Sequence, residues 1–150
     1  METLAVRIAS LTPVTVKGTW LRHSDAGYPQ RALDGHAGYG RWGTKRGFDV
    51  LYLGEPEPSV VVEAYRHFID PIEDPAMLAE IRPRILVTAG VTVDEVLDLT
   101  SAGARMTTGL SLEILQSDTD DREAYERCQE VAQVAHQLGR RGILAPAATK

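Results

Sequence analysis

The chain has 150 residues, 43% hydrophobic and 25% charged, with a formal net charge of −5 and a single cysteine. Such a length suits one domain that buries about two-thirds of its unfolded surface, and the acidic balance argues against a general nucleic-acid binder, which needs a basic face. No apolar run approaches a membrane span, no cleavable signal opens the chain and the lone Cys128 excludes an internal disulfide, so a cytoplasmic protein is expected.

In chain order, "AVRIAS" (5–10) and "VTVKGTWLR" (14–22) read as strands, the second ending on Arg22 just before His23. "GYGRWG" (38–43) then matches the G-x-G-x-x-G spacing of dinucleotide-binding loops. That pattern needs a helix N-terminus directly behind it to receive a pyrophosphate. Here "TKRG" and the alternating "FDVLYL" (48–53) follow, which read as a turn and a strand. The Rossmann reading is therefore rejected. The five glycines from Gly35 to Gly47 imply a tight β-connection, or a loop whose backbone something approaches closely.

"EPEPS" ends that strand and offers Ser59 as the N-cap of a helix through "VVVEAYRHFI" (60–69). "RILVTAGVTV" (84–93) reads as a buried strand. "DEVLDLTS" (94–101) fits either its continuation or a helix started by a Thr92–Glu95 capping box. "DREAYERCQEVAQVAHQLG" (121–139) is the clearest helix, with Ala124, Cys128, Val131, Ala135 and Leu138 on one face. Asp120 with Glu123 fits its capping box and Gly139 its C-cap, and Cys128 on the apolar face reads as a core residue. "GILAP" (142–146) reads as a short strand. Strands dominate the first half and helices are inserted between and after them, so the fold class is α+β, one domain. The four histidines are scattered and show no metal-ligand spacing, so no metal is expected.

Four polar side chains stand where a fold prefers apolar ones. Arg22 ends an apolar strand, Arg41 sits among glycines beside Trp42, Tyr52 interrupts a buried strand and Glu63 interrupts "VVVEAY". Singly each has an ordinary role: a carboxylate on the solvent face of its helix, or a core tyrosine with a satisfied hydroxyl. Taken together, "WLRH", "GRW", "VLYL" and "VVVEAY" resemble the RES domain family, with eleven positions from Arg41 to Tyr52 and eleven more to Glu63. The tail "AYERCQEVAQVAHQLGRRGILAPAAT" is similar to that family's last helix and G-[IL]-L-x-P-S-A strand, so the resemblance runs from about Gly18 to Thr149.

The resemblance implies a fold like that of the ADP-ribosyltransferases and a role as the toxin of a bacterial toxin–antitoxin pair. It implies NAD as substrate rather than recycled cofactor, cleaved by phosphorolysis, with phosphate as co-substrate, or by hydrolysis. Transfer of ADP-ribose to a protein target, or a catalytically dead antitoxin-binding module, are the alternatives. The implied partner is an Xre-like antitoxin in a hetero-oligomer, with the basic stretch around Arg41, Lys45 and Arg46 as a landing surface and no nucleic acid or membrane contacted directly. Glu63, Arg22 and the family's serine position, here Ala147, would be catalytic, and His23, Arg41 and Tyr52 would hold NAD. The chemistry fits these residue types. Cleaving the nicotinamide–ribose bond develops positive charge that a fixed carboxylate stabilises, and guanidinium groups bind phosphates bidentately. The chain departs from the family at His23 (tyrosine), at Gly43 (asparagine) and at Ala147 (serine), and it stops where the family continues into a final strand.

Overall fold

Two long strands organise the chain in a computed structural model that describes residues 2–55, 60–61 and 83–148. β1 (Val14–Asp25) runs antiparallel to β2 (Arg84–Asp98), from Val14 opposite Val96 to Asp25 opposite Arg84. β3 (Gly142–Leu144) lies parallel to the far end of β2, giving the order β1–β2–β3. "DEVLD" thus continues the strand and the capping-box alternative falls. One irregularity marks this stretch. The register slips between Val14 and Val16, and Glu95 takes φ 58°. An extra residue on β2 forms a bulge, and a non-glycine residue in the left-handed region costs on the order of 1–3 kcal/mol unless its surroundings hold it there. Thr15 Oγ1 donates to Asp94 Oδ1 at 2.9 Å, the Arg141 N–H donates to the Glu95 carbonyl at 2.9 Å, and Arg140 stands 3.6 Å from the Glu95 carboxylate.

Two of the expected strands are not strands. "AVRIAS" lies in a helix, α1 (Leu4–Ala9), whose N-cap Thr3 accepts from the Val6 N–H at 3.2 Å. Leu4, Ile8 and Leu11 recur at steps of four and three, and all three meet the core. A six-residue window hides that period and leaves out the cap. "FDVLYL" makes no ladder. Val50 pairs with His36 and Gly54 pairs with Leu21 on β1, so successive residues face different partners and no continuous strand can form. The helix expected after Ser59 lies outside the described residues beyond Val61; Val60 and Val61 are themselves helical.

Three helices close over β2 and β3. α2 (Ala102–Thr108) and α3 (Leu112–Leu115), capped by Ser101 and Ser111, were not evident from periodicity because each is too short to show it. α4 (Arg122–Gln137) is the long helix expected, with its cap one residue later: Asp121, not Asp120, accepts from the Ala124 N–H at 3.1 Å. The helix stops at Gly139 in the left-handed region (φ 81°). Cys128, Val131 and Ala135 are buried in one cluster with Ile8, Leu97, Leu99 and Leu110, and Ala124 is buried too, whereas Leu138 turns outward. Cys128 is a core residue. Burial pushes its thiol pKa up, against the opposing pull of the nearby Arg41 and Arg127 guanidiniums.

Candidate functional site

The glycine-rich loop closes as a two-residue turn. Gly40 pairs with Gly43, the Gly40 N–H donating to the Gly43 carbonyl at 3.0 Å, and Arg41 and Trp42 form the tip. The Trp42 N–H donates to the Tyr52 hydroxyl at 3.0 Å. Glycine at position 40 is required by that contact: a Cβ there would lie 2.7 Å from the Tyr52 oxygen. Tyr52 also accepts, through its main-chain carbonyl, a hydrogen bond from Arg22 Nη1 at 2.9 Å. The paired Leu21 and Gly54 align this segment with β1, so Arg22, Trp42 and Tyr52 form one connected unit.

Arg41 is turned inward. Its Nη1 donates to the Ile114 carbonyl at 2.8 Å and to Ser117 Oγ at 3.0 Å, and its Nη2 to the Ser117 carbonyl at 2.8 Å. Its guanidinium carbon lies 4.6 Å from the centre of the Tyr125 ring. These donors anchor the turn to the carbonyls at the end of α3 and are committed there. The same short segment holds Ala147, whose carbonyl accepts from Gln116 Nε2 at 3.3 Å. Ala147 is exposed, and it follows β3 by three residues.

His23 is set apart from this unit. Successive side chains of a strand leave on opposite faces, so His23 departs from the face opposite Arg22. There Arg84 Nη2 lies 2.8 Å from His23 Nδ1. Arginine only donates, so Nδ1 accepts and the ring proton sits on Nε2. Arg84 has its pKa lowered by burial, raised in part by Asp25 and lowered further by the like charge of Arg22. Glu63 lies outside the described residues.

Several participants were not found from the sequence. Arg84 begins an apolar strand as Arg22 ends one, and antiparallel pairing of those strands was the signal that places them together. Tyr125, Gln129 and His136 fall on a second stripe of α4 and reach the loop. Tyr125 stacks on Tyr39 (centroids 5.7 Å apart), Gln129 donates to the Gly40 and Gly43 carbonyls, and His136 stacks on Phe48 at 4.1 Å. A separate cavity of about 140 Å³ between α1, α2 and α4 contains none of the site residues. Its Arg7 and Arg127 donate to the Thr107 and Gly109 carbonyls and so satisfy the end of α2. Among the described residues no helix is long and apolar enough to cross a membrane, and no cluster of three His, Cys, Asp or Glu side chains could hold a metal ion.

The family model for the RES domain matches residues 16–150. Among solved structures, the toxin chain in the crystal structure of the M. tuberculosis MbcT–MbcA toxin–antitoxin complex is similar, with a TM-score of 0.72 and 26% identity over 99% of this chain and 78% of that chain. No curated protein matches.

The contact between Gly40 and Tyr52 predicts a measurable coupling. Tyr52→Phe leaves the Trp42 N–H without its acceptor and should cost about 1–3 kcal/mol. Gly40→Ala pushes a methyl group against the hydroxyl and should also destabilise. In the Tyr52→Phe background the same alanine meets no oxygen, so its cost should fall, giving an interaction energy of about 0.5–3 kcal/mol in a double-mutant cycle by denaturant unfolding. Strictly additive costs would contradict the geometry.

Proposed function

The chain belongs to the RES domain family, and from that membership we propose that it is the toxin of a toxin–antitoxin pair and consumes NAD at the nicotinamide–ribose bond. One observation carries the reading: residues of three strings through which the chain resembles the family, Arg22 of "WLRH", Trp42 of "GRW" and Tyr52 of "VLYL", meet in one hydrogen-bonded unit. In that unit the bond to the Tyr52 carbonyl places Arg22, a guanidinium of the type that binds a pyrophosphate or an incoming phosphate, and the Tyr52 ring offers a face for nicotinamide. Arg41 holds the loop on α3 through three hydrogen bonds, and toward the NAD phosphates it keeps the role the resemblance implies, through N–H groups those bonds do not use. The NAD-binding role that the resemblance implies for His23 has no geometry in this unit, since the side chain leaves the opposite face of β1 beside Arg84.

Departure of nicotinamide with the C–N bonding pair leaves an oxocarbenium-like ribose, which the Glu63 carboxylate stabilises. Attack by phosphate then yields ADP-ribose 1″-phosphate, and attack by water yields ADP-ribose. Incubation of the purified chain with NAD and phosphate distinguishes these products from label transferred to protein and from intact NAD. Glu63→Gln keeps the shape and removes the charge, so NAD turnover should fall about 100- to 1000-fold with an unchanged melting temperature. A stable variant as fast as its parent would refute the role of Glu63.

The expected partner is an antitoxin that keeps the enzyme inactive, in keeping with the solved complex of the similar toxin. Lys45 and Arg46 are exposed and Arg41 is turned inward onto α3, so the landing surface for an acidic or carboxylate-terminated segment centres on those two residues. Co-expression with the neighbouring gene should give a complex that weakens in Lys45→Glu/Arg46→Glu. Absence of any complex would count against the toxin reading.

Ala147 provides a gain-of-function test. The residue is exposed, so a serine hydroxyl there is hydrated and stability should not change. One hydrogen bond to a charged group formed in the transition state is worth about 1.5–3 kcal/mol, so Ala147→Ser should raise NAD turnover roughly ten- to hundredfold. An inert serine variant would show that this position takes no part.

A further inference from the structure

We infer that Gln129 is a positioning residue for NAD: from α4 it braces the Gly40–Gly43 turn and thereby holds Trp42 and Tyr52 in their binding arrangement. The inference rests on NAD occupying the Arg22–Tyr52 site proposed above. Its starting point is that the turn cannot hold itself. Among the described non-glycine residues only Glu95 has a positive φ, so Arg41 and Trp42 both keep negative φ. Such a turn lacks the mirror-image twist that favours a two-residue hairpin. Glycine on both sides adds backbone freedom that must be lost on closing. A single main-chain bond crosses the turn, Gly40 N–H to the Gly43 carbonyl, and the next pairing outward is His36 with Val50.

Gln129 supplies what is missing. Its Nε2 lies 2.7 Å from the Gly40 carbonyl and 3.2 Å from the Gly43 carbonyl, one on each side of the turn. An amide nitrogen carries two hydrogens, one for each carbonyl. The reverse amide orientation would set an oxygen against both carbonyl oxygens, so the donor assignment is forced by the surroundings. Glutamate and methionine have the right length and no such donor. With the turn closed, the Trp42 N–H meets the Tyr52 hydroxyl, and the Tyr52 carbonyl meets Arg22. Gln129 touches none of these three. Its effect on NAD passes entirely through the fraction of molecules in which the turn is formed, and apparent affinity scales with that fraction.

The test compares Gln129→Met, which keeps length and loses both donors, with Gln129→Lys, which restores donors on a terminal nitrogen. Melting temperature, amide exchange at Gly40, and NAD affinity (Kd by calorimetry, and KM with kcat where NAD is turned over) are read for each. Gln129→Met should remain folded, exchange the Gly40 amide faster and bind NAD about tenfold more weakly, with kcat within about twofold because saturating NAD selects the closed turn. Gln129→Lys should recover both exchange protection and affinity. Unchanged NAD affinity in the methionine variant would overturn the inference, as would a variant that fails to fold, since Gln129 would then be a general structural residue. Failure of the parent itself to bind NAD would be seen before any variant is made; it would refute the proposed site, and this inference with it.

Discussion

Tyr52 uses both of its polar ends, and the arrangement of the site follows from that. Its carbonyl receives Arg22 from β1, and its hydroxyl receives the main-chain N–H of Trp42 from the glycine-rich turn. A phenol is rigid beyond two torsions, so the separation between β1 and the turn is set by the length of one side chain. The absence of a side chain at Gly40 is the other half of the constraint, because the hydroxyl occupies the space a Cβ would take. Segment 50–54 therefore works as a spacer between sheet and loop. Pairing Val50 with His36 and Gly54 with Leu21 fixes its two ends to different parts of the chain.

α4 carries two jobs on adjacent stripes. Ala124, Cys128, Val131 and Ala135 fill the core, while Tyr125, Gln129 and His136 hold the loop by stacking and by hydrogen bonds. Four-residue steps put 125 and 129 on one line, and seven more residues, two turns, bring 136 back to it. The loop accordingly inherits the rigidity of a helix packed in the core. Arg41 adds a third anchor at the end of α3, where the Ile114 and Ser117 carbonyls accept its donors.

Charge is distributed unevenly in this acidic chain. Antiparallel pairing brings the end of β1 against the start of β2, which sets Arg22 close enough to Arg84 for each to disfavour the other's charge. Asp25, directly opposite Arg84, offsets part of that repulsion. Two guanidiniums at this end of the ladder, one on each face, raise the local positive potential despite a net charge of −5. The same pairing sets the tautomer of His23.

What the sequence determined by itself was whatever repeats over many residues or lies in a recognisable string. The long helix, β1, the first part of β2 and the α+β class follow from periodicity, and the family follows from four short strings at set spacings. Rejection of a Rossmann site also stood on sequence alone, since a helix directly behind "GYGRWG" was absent from the pattern and is absent from the fold. Tertiary structure decided the rest. "AVRIAS" and "FDVLYL" have β-forming residues, but the first is short enough for a threonine cap and a core-facing Ile8 to make it helical. The second finds two different partners in place of a neighbouring strand. Arg41 has the residue type of a phosphate ligand, and only the position of the end of α3 reveals that three of its hydrogen bonds go to the Ile114 and Ser117 carbonyls and the Ser117 hydroxyl. Gln129 is one polar residue among several on a long helix, with nothing in its neighbours to single it out. Its role exists because two carbonyls 86 and 89 positions away are brought to the same nitrogen. Local preference is written residue by residue, whereas a hydrogen bond between distant segments depends on where the packed core places both.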